Sequence, residues 1–85
     1  MSIDTLNRHS FTERQGQYLA FIFYYTKING LSPAQLDFQR YFCVSAPTVH
    51  QMILQLEKNG LITRLKNTPR SIVLVVPEDQ LPRLK

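Results

Sequence analysis

Hydrophobic residues in the first third of the chain recur every three or four positions, which is the spacing of one face of an α-helix. The periodic positions are Tyr18, Leu19, Ile22, Tyr25 and Thr26. The preceding segment, Thr12-Glu13-Arg14-Gln15, is typical of a capping box, in which the Thr12 and Gln15 side chains satisfy free amides. Asn29-Gly30 then supplies a stop signal. The pattern predicts a helix from about residue 12 to Asn29.

The middle of this helix is unusual because Phe21, Ile22, Phe23, Tyr24 and Tyr25 are consecutive, so apolar groups point to every side. A helix that is apolar all round is buried on more than one face. One interpretation is that the tyrosines expose only their hydroxyl edges while Phe23 packs under an N-terminal arm. The other interpretation, which we take as the hypothesis, is a homodimer interface formed by Phe21, Phe23 and Tyr24.

Two shorter helices follow in the pattern. Pro33 suits the first turn of a second helix, which ends near Phe42. Its apolar residues are Leu36, Phe38, Tyr41 and Phe42. Ser45 caps a third helix from Ala46 to Asn59, and Gly60 ends it. The predicted inner face of the third helix consists of Val49, Met52, Ile53 and Leu56.

After Gly60 the helical period is lost and β-branched residues dominate. Leu61 to Leu65 and Ser71 to Val76 are predicted strands, with a turn at 66–69 and Pro77 closing the second strand. The predicted fold is therefore α+β, with three helices followed by a two-stranded β-hairpin. We expect a flexible N-terminal arm at 1–10, one domain at 11–76 and a polar C-terminal tail at 77–85.

Composition narrows the class of protein without defining it. The chain has 85 residues, which is enough for one domain, and a net charge of +4, which favours a polyanionic partner. Its single cysteine, Cys43, excludes an internal disulfide, and in an apolar turn we expect it to be a small buried hydrophobe. The sequence shows neither a secretory signal nor an apolar run of membrane-spanning length. We expect a cytoplasmic protein.

The spacing of the second and third helices is that of a helix-turn-helix, because about three residues separate them. In this motif the first helix braces the second, whose opening turn faces a DNA groove. Small polar side chains that can reach base edges lie at that end of the third helix. The base-reading candidates are Ser45, Pro47, Thr48, His50, Gln51 and Gln55.

Basic residues surround the predicted hairpin, and no acidic residue lies between Lys58 and Pro77. A basic hairpin after a recognition helix acts as a wing on phosphates. The phosphate-binding candidates are Lys58, Arg64, Lys66 and Arg70. DNA binding predicts that the three hairpin cations cluster beside the face formed by Thr48 to Gln51. The alternative, a winged helix that binds only protein through its aromatic first helix, predicts that acidic groups neutralise them.

Several segments together resemble the DNA-binding domain of LexA-type repressors. The more specific segments are Thr12-Glu13-Arg14-Gln15, Asn29-Gly30-Leu31-Ser32-Pro33, Asp37-Phe38 and Thr48-Val49-His50. The segment from Leu56 to Ile62, followed by Pro69-Arg70-Ser71-Ile72, extends the resemblance over about 12–76, although its first part is shared by other winged helices, including MarR-type regulators. The resemblance implies a winged helix, dimeric binding to an operator in the major groove and a repressor role.

The sequence also departs from the LexA pattern. Nothing after residue 76 is expected to hold the self-cleaving domain of those repressors, so autoproteolysis is not carried over, and an interface through the first helix would replace the missing dimer contact. The turn before Ser45 is one residue shorter than usual. Cys43 stands in place of a turn glycine, and Ala34 in place of a capping serine or threonine. The operator sequence therefore does not transfer.

No arrangement in the sequence indicates catalysis or a cofactor. His9 and His50 are far apart and lack a cysteine or carboxylate cluster, which disfavours a metal site. Ser45 and Ser71 have no partner base at a recognisable spacing. We expect no enzyme activity, no cofactor and no small-molecule ligand. The sequence favours a transcriptional regulator, in particular a repressor, that binds specific double-stranded DNA.

Overall fold

The computed structural model describes residues 9–85, so residues 1–8 of the expected N-terminal arm lie outside the described part. Within it, the chain forms three α-helices, a two-stranded sheet and one turn of 3-10 helix. The elements are α1 (Glu13–Asn29), α2 (Gln35–Phe42), α3 (Ala46–Lys58), β1 (Ile62–Thr63), β2 (Val73–Leu74) and the 3-10 turn Glu78–Gln80. The predicted order of three helices and a hairpin is confirmed.

α1 is bounded by the two local signals that the sequence contains. The amide of Gln15 donates to the Thr12 hydroxyl at 3.1 Å, and the amide of Thr12 donates to the Gln15 side-chain oxygen at 2.9 Å. These bonds form the predicted capping box. Gly30 ends the helix in the left-handed conformation, with φ +74°, and donates its amide to Thr26. Because both caps use neighbouring residues only, sequence alone defines this helix.

The sequence predicted that α2 starts at Pro33. In the structure α2 begins two residues later, at Gln35. Ala34 is the N-cap, and the carboxylate of Asp37 accepts its amide at 2.8 Å. Alanine has no side-chain oxygen, so the acidic residue of the first turn takes over part of the capping role.

The expectation of a buried Cys43 is wrong. Cys43 ends α2 with φ +56° and its side chain is exposed. Its amide donates to the Gln39 carbonyl, which closes the tight turn before Ser45. The exposed Cys43 thiol lies 3.8 Å from the Arg40 carbonyl.

The core lies where α1, α2, α3 and the hairpin meet. Tyr18 of α1 stacks on Phe42 with ring centroids 4.2 Å apart, and also on Phe38. The rest of this core cluster consists of Leu19, Phe21, Ile22, Val49, Ile53, Leu56, Leu61, Ile62 and Val76. The predicted inner face of α3 is confirmed, with Met52 half-buried at its edge.

The two strands of the hairpin are shorter than the predicted strands at 61–65 and 71–76. Ile62 pairs with Leu74 and Thr63 with Val73 in antiparallel register, and each strand has two residues. Beyond that pair the Ser71 hydroxyl replaces the strand partner, because it accepts the Leu65 amide at 3.0 Å and lies 2.8 Å from the Thr68 carbonyl. The ladder therefore gives way to a loop held by a side chain.

Residues 77–85, expected as a polar tail, pack against α1; we call them the C-terminal strap. The side chain of Gln17 donates to the Arg83 carbonyl and accepts the Lys85 amide, both at 2.8 Å. Gly16 allows the strap to approach α1 closely, since a β-carbon at position 16 would lie 3.0 Å from the side chain of Pro82. The strap explains how a helix apolar on several sides is covered, because α1 is buried continuously from Gln15 to Ile22.

Candidate nucleic-acid interface

The opening turn of α3 projects from the body with its polar side chains outward. Ser45 is the N-cap, its hydroxyl accepting the Thr48 amide at 3.4 Å and lying 3.0 Å from the Thr48 hydroxyl. Val49, Ile53 and Leu56 hold the opposite face of the helix in the core. The base-reading candidates are all exposed: Ser45, Pro47, Thr48, His50, Gln51 and Gln55.

The side chain of His50 contacts α2. Its Nδ1 lies 3.4 Å from the side-chain nitrogen of Gln35, the first residue of α2. Sequence reasoning did not select Gln35, and no local signal would have found it, because the two residues are 15 positions apart.

The hairpin and the helix-turn-helix enclose an open cleft of about 500 Å³. Its walls come from the start of α2, from α3 and from the loop between the two strands. The lining includes Gln35, His50, Arg64, Thr68, Arg70 and Ile72. The structure therefore brings Arg64 and Arg70 to the cleft beside His50, while Lys66, the third hairpin cation, is not among the residues that line it.

Both arginines also have carboxylate partners, as the protein-binding alternative predicts. Arg64 Nε lies 3.2 Å from Glu57 of α3. Exposure of these side chains is 25% and 39%, so solvent screens the pair and the arginine stays accessible from the cleft.

Arg70 contacts the body of the protein through one guanidinium nitrogen, while 41% of its side chain stays exposed. Its Nη1 lies 3.2 Å from the Tyr25 hydroxyl, the Ser32 carbonyl and the Asp37 carboxylate. The bond to Tyr25 raises the pKa of the guanidinium above its ordinary value, and the charge of Asp37 acts in the same direction. Ser32 is itself buried, and its hydroxyl accepts the Ile72 amide. These contacts join the loop of the hairpin to α1 and α2.

The two lysine candidates are free of such contacts. Lys58 and Lys66 are exposed and form no ion pair with any of residues 9–85. Lys58 is the last residue of α3, and Lys66 stands in the hairpin loop. Asp37 was not selected from the sequence as a site residue, although an acidic residue in the first turn of a helix is a recognisable capping signal.

The three residues of the predicted dimer interface do not share one environment. Phe21 is only 7% exposed and packs against Phe38, Tyr41 and Phe42, so it belongs to the core and is unavailable to a second subunit. Phe23 is half-buried, and Tyr24 is 40% exposed. The position of Phe21 corrects the prediction, because α2 packs against its side of α1.

Residues 9–85 contain no helix that combines the length and the apolar character needed to cross a membrane. They also contain no group of three histidine, cysteine or acidic side chains arranged to hold a metal ion.

Three helices, with the second and third joined by a tight turn, and an antiparallel hairpin define this protein as a winged helix-turn-helix. Residues 11–69 match the MarR family, and the chain belongs to that family.

Two LexA repressors are also similar to the chain. The LexA repressor of Thermosipho melanesiensis is 37% identical over 70 residues, which is 82% of this chain and 35% of that protein. The LexA repressor of Thermosipho africanus is 42% identical over 64 residues, which is 75% of this chain and 32% of that protein. The predicted resemblance to LexA repressors is thus confirmed. The chain spans about a third of the length of these relatives.

Proposed function

We propose that this protein is a transcriptional regulator, acting as a repressor, that binds specific sequences of double-stranded DNA. The observation that carries the proposal is the exposed polar face at the start of α3, which stands beside the basic hairpin. Membership of the MarR family and similarity to two LexA repressors support the same function.

In the proposed complex α3 enters the major groove and its exposed side chains contact base edges. Gln51 is suited to a bidentate contact with adenine, and Thr48 to a thymine methyl or a polar base edge. His50 also reads bases, with Ser45 and Pro47 at the helix start and Gln55 at the margin. The helix face carries no charge between Pro47 and Gln55, so affinity must come from cations elsewhere.

We propose that Lys58 and Lys66 are the main phosphate contacts, since both are exposed and unpaired among the described residues. Arg64 is a third contact that exchanges its bond with Glu57 for a phosphate. Arg70, the fourth predicted phosphate contact, has a second role in the proposal, because its Nη1 is engaged with Asp37, Tyr25 and Ser32. That second role is to hold the wing in place.

We further propose a homodimer in which Phe23 and Tyr24 of α1 meet their counterparts. A dimer presents two recognition helices to two half-sites, which is how operator-binding winged helices gain specificity. We also propose a cytoplasmic location, as the sequence predicts, since a DNA-binding regulator must have access to the DNA. We assign it no catalytic reaction.

A second candidate function is protein binding through α1 without DNA. The ion pairs of Arg64 and Arg70 favour it, as does the exposure of Ile28, which is 79% accessible on α1. We prefer DNA binding, since neither pair involves Lys58 or Lys66.

Fluorescence anisotropy with labelled random duplex DNA, titrated at several salt concentrations, tests the proposal. Dissociation constants of about 1–100 µM that rise steeply with salt are expected of non-specific binding by such a domain. No binding by the folded protein at low salt would refute DNA binding and favour the second candidate.

A further inference from the structure

Arg14, in the first turn of α1, lies beside the end of α2, where the chain turns into the recognition helix α3. We propose that Arg14 is a further phosphate contact, which binds the DNA backbone at this end of the helix-turn-helix, away from the hairpin. The inference rests on the proposed DNA binding and adds a second anchoring point to it.

The position of the Arg14 guanidinium is set by two aromatic rings. Its central carbon lies 5.7 Å from the ring centroid of Tyr18 and 5.5 Å from that of Phe42. These rings stack on each other with centroids 4.2 Å apart and planes 1° apart. Tyr18 is fully buried, and Phe42 is the last residue of α2, three residues before the Ser45 cap of α3. The core therefore holds this cation next to the turn that leads into α3.

Arg14 is available to an external anion. Its side chain is exposed and forms no ion pair with any of residues 9–85. The neighbouring carboxylate, that of Glu13, is bound instead to Lys85 at 2.7 Å. A cation over an aromatic face is held electrostatically, so the N–H donors of the guanidinium are left for phosphate oxygens.

The surface beside Arg14 is concave. An open hollow of about 490 Å³ lies between the first turn of α1 and the last turn of α2, and Tyr41, Phe42 and Lys85 are among the residues that line it. A phosphate group of the DNA backbone has room there next to the guanidinium.

The hairpin and Arg14 contact opposite ends of α2. Arg70 of the hairpin loop binds Asp37, in the first turn, whereas Arg14 lies over Phe42, the last residue. At 1.5 Å per residue the eight residues of α2 span about 12 Å. The major groove is also about 12 Å wide and is bordered by phosphates on both sides. The hairpin cations and Arg14 are therefore spaced to bind different phosphates, on the two sides of the groove that α3 enters.

Three substitutions separate phosphate binding from a merely structural role of Arg14. Arg14→Met removes the charge and keeps an unbranched side chain that can cover the ring of Phe42. Arg14→Lys keeps the charge. The matched control is Lys27→Met, because Lys27 lies 5.7 Å from the ring centroid of Phe23 on the same helix but borders β2 instead of α2.

The first measurement is fluorescence anisotropy with labelled random duplex DNA at several salt concentrations. In Arg14→Met we expect the slope of log affinity against log salt to fall by about 0.9. Affinity at the lowest salt should fall by about three- to ten-fold, comparable to one hydrogen bond. Arg14→Lys and Lys27→Met should keep the wild-type slope, and urea denaturation checks that each variant is folded.

Two outcomes of that titration have different meanings. A wild-type slope in folded Arg14→Met would overturn the inference and leave the proposed function standing, since the other cations would then account for binding. A folded wild type that binds no duplex would refute the proposed function itself.

The second measurement locates the phosphate. In a duplex selected by the wild type from a random library, single phosphates are replaced one at a time by uncharged methylphosphonates. We expect one position whose replacement weakens the wild type but not Arg14→Met, and a different position whose replacement weakens the wild type but not Lys66→Met. If Arg14→Met is weakened at every position that weakens the wild type, Arg14 is not a phosphate contact.

Discussion

The guanidinium of Arg70, in the hairpin loop, lies 3.2 Å from the carboxylate of Asp37, in the first turn of α2. The same carboxylate accepts the amide of Ala34 at 2.8 Å, so one side chain both caps α2 and holds the wing. The Arg70 backbone adopts φ +56°, a conformation that ordinary residues adopt at some energetic cost. The contacts to Asp37, Tyr25 and Ser32 maintain it.

Asp37→Asn should therefore weaken DNA binding even though it removes a negative charge near the DNA. Asparagine still accepts the Ala34 amide but no longer pairs with Arg70, so the wing loses its anchor. We expect about a two- to ten-fold loss in affinity, comparable to one well-placed hydrogen bond, and faster amide exchange at 64–72. Anisotropy titration and hydrogen exchange measure both effects. The control Asp79→Asn removes the same charge from the strap, and tighter binding by Asp37→Asn would contradict the anchoring role.

Lys66→Met should flatten the salt dependence of DNA binding. One lost phosphate contact lowers the slope of log affinity against log salt by about 0.9. Arg70→Met, in contrast, should lower affinity with the slope unchanged, because Nη1 of Arg70 is already bonded to Tyr25, Ser32 and Asp37 within the protein. Lys27→Met is the control, since Lys27 lies over the ring of Phe23 on α1. Equal slopes for Lys66→Met and the wild type would exclude Lys66 as a phosphate contact.

Gln17→Met should destabilise the fold through the strap. Gln17 is nearly buried, and its amide makes two hydrogen bonds to the backbone of Arg83 and Lys85. We expect the free energy of unfolding to fall by about 1–2 kcal/mol, because the two backbone groups gain water in exchange. Urea denaturation provides the measurement. Gln55→Met, on the exposed side of α3, should leave stability nearly unchanged, and an equal loss in both variants would argue against the strap.

The proposed homodimer can be tested at Tyr24. In a two-fold interface each substitution enters twice, so Tyr24→Glu brings two like charges together. We expect a dimeric mass for the wild type at high micromolar concentration and a monomeric mass for Tyr24→Glu. Sedimentation distinguishes them, with Gln39→Glu as the charge-matched control. A monomeric wild type at that concentration would remove the dimer from the proposal.

Acidification should release one contact of the strap. The side chain of Lys85, 2.7 Å from Glu13, holds the pKa of that carboxyl below 4.5, first by the hydrogen bond and then by its charge. A lowered folded-state pKa means that the contact stabilises the strap above pH 4.5 and is lost as the pH falls through the lowered value. NMR titration of Glu13 should give a midpoint below 4.5, and Lys85→Met should return it to the ordinary value. An unchanged midpoint in that variant would show that Lys85 is not the cause.

The helices and the polar face of α3 were predictable because their signals are local. Thr12 and Gln15 cap α1 within one turn, and Ser45 caps α3 in the same way. The side chains of α3 alternate between core and solvent with the helical period, so burial of Val49 and Ile53 and exposure of Thr48 and Gln51 follow from spacing.

The partners of Arg70, the burial of Phe21 and the packing of the strap depend on contacts between residues that are distant in the sequence. The sequence shows a basic residue at position 70. It gives no sign that this residue forms an ion pair with Asp37, which lies 33 positions earlier. The same holds for Phe21, which α2 covers, and for the strap, which returns to Gln17 across more than 60 residues. The sequence by itself thus determined the elements and the face of α3 that is free. Only the tertiary structure decided which cations are available to a partner, because hydrogen bonds and ion pairs form between groups that folding, not chain order, brings together.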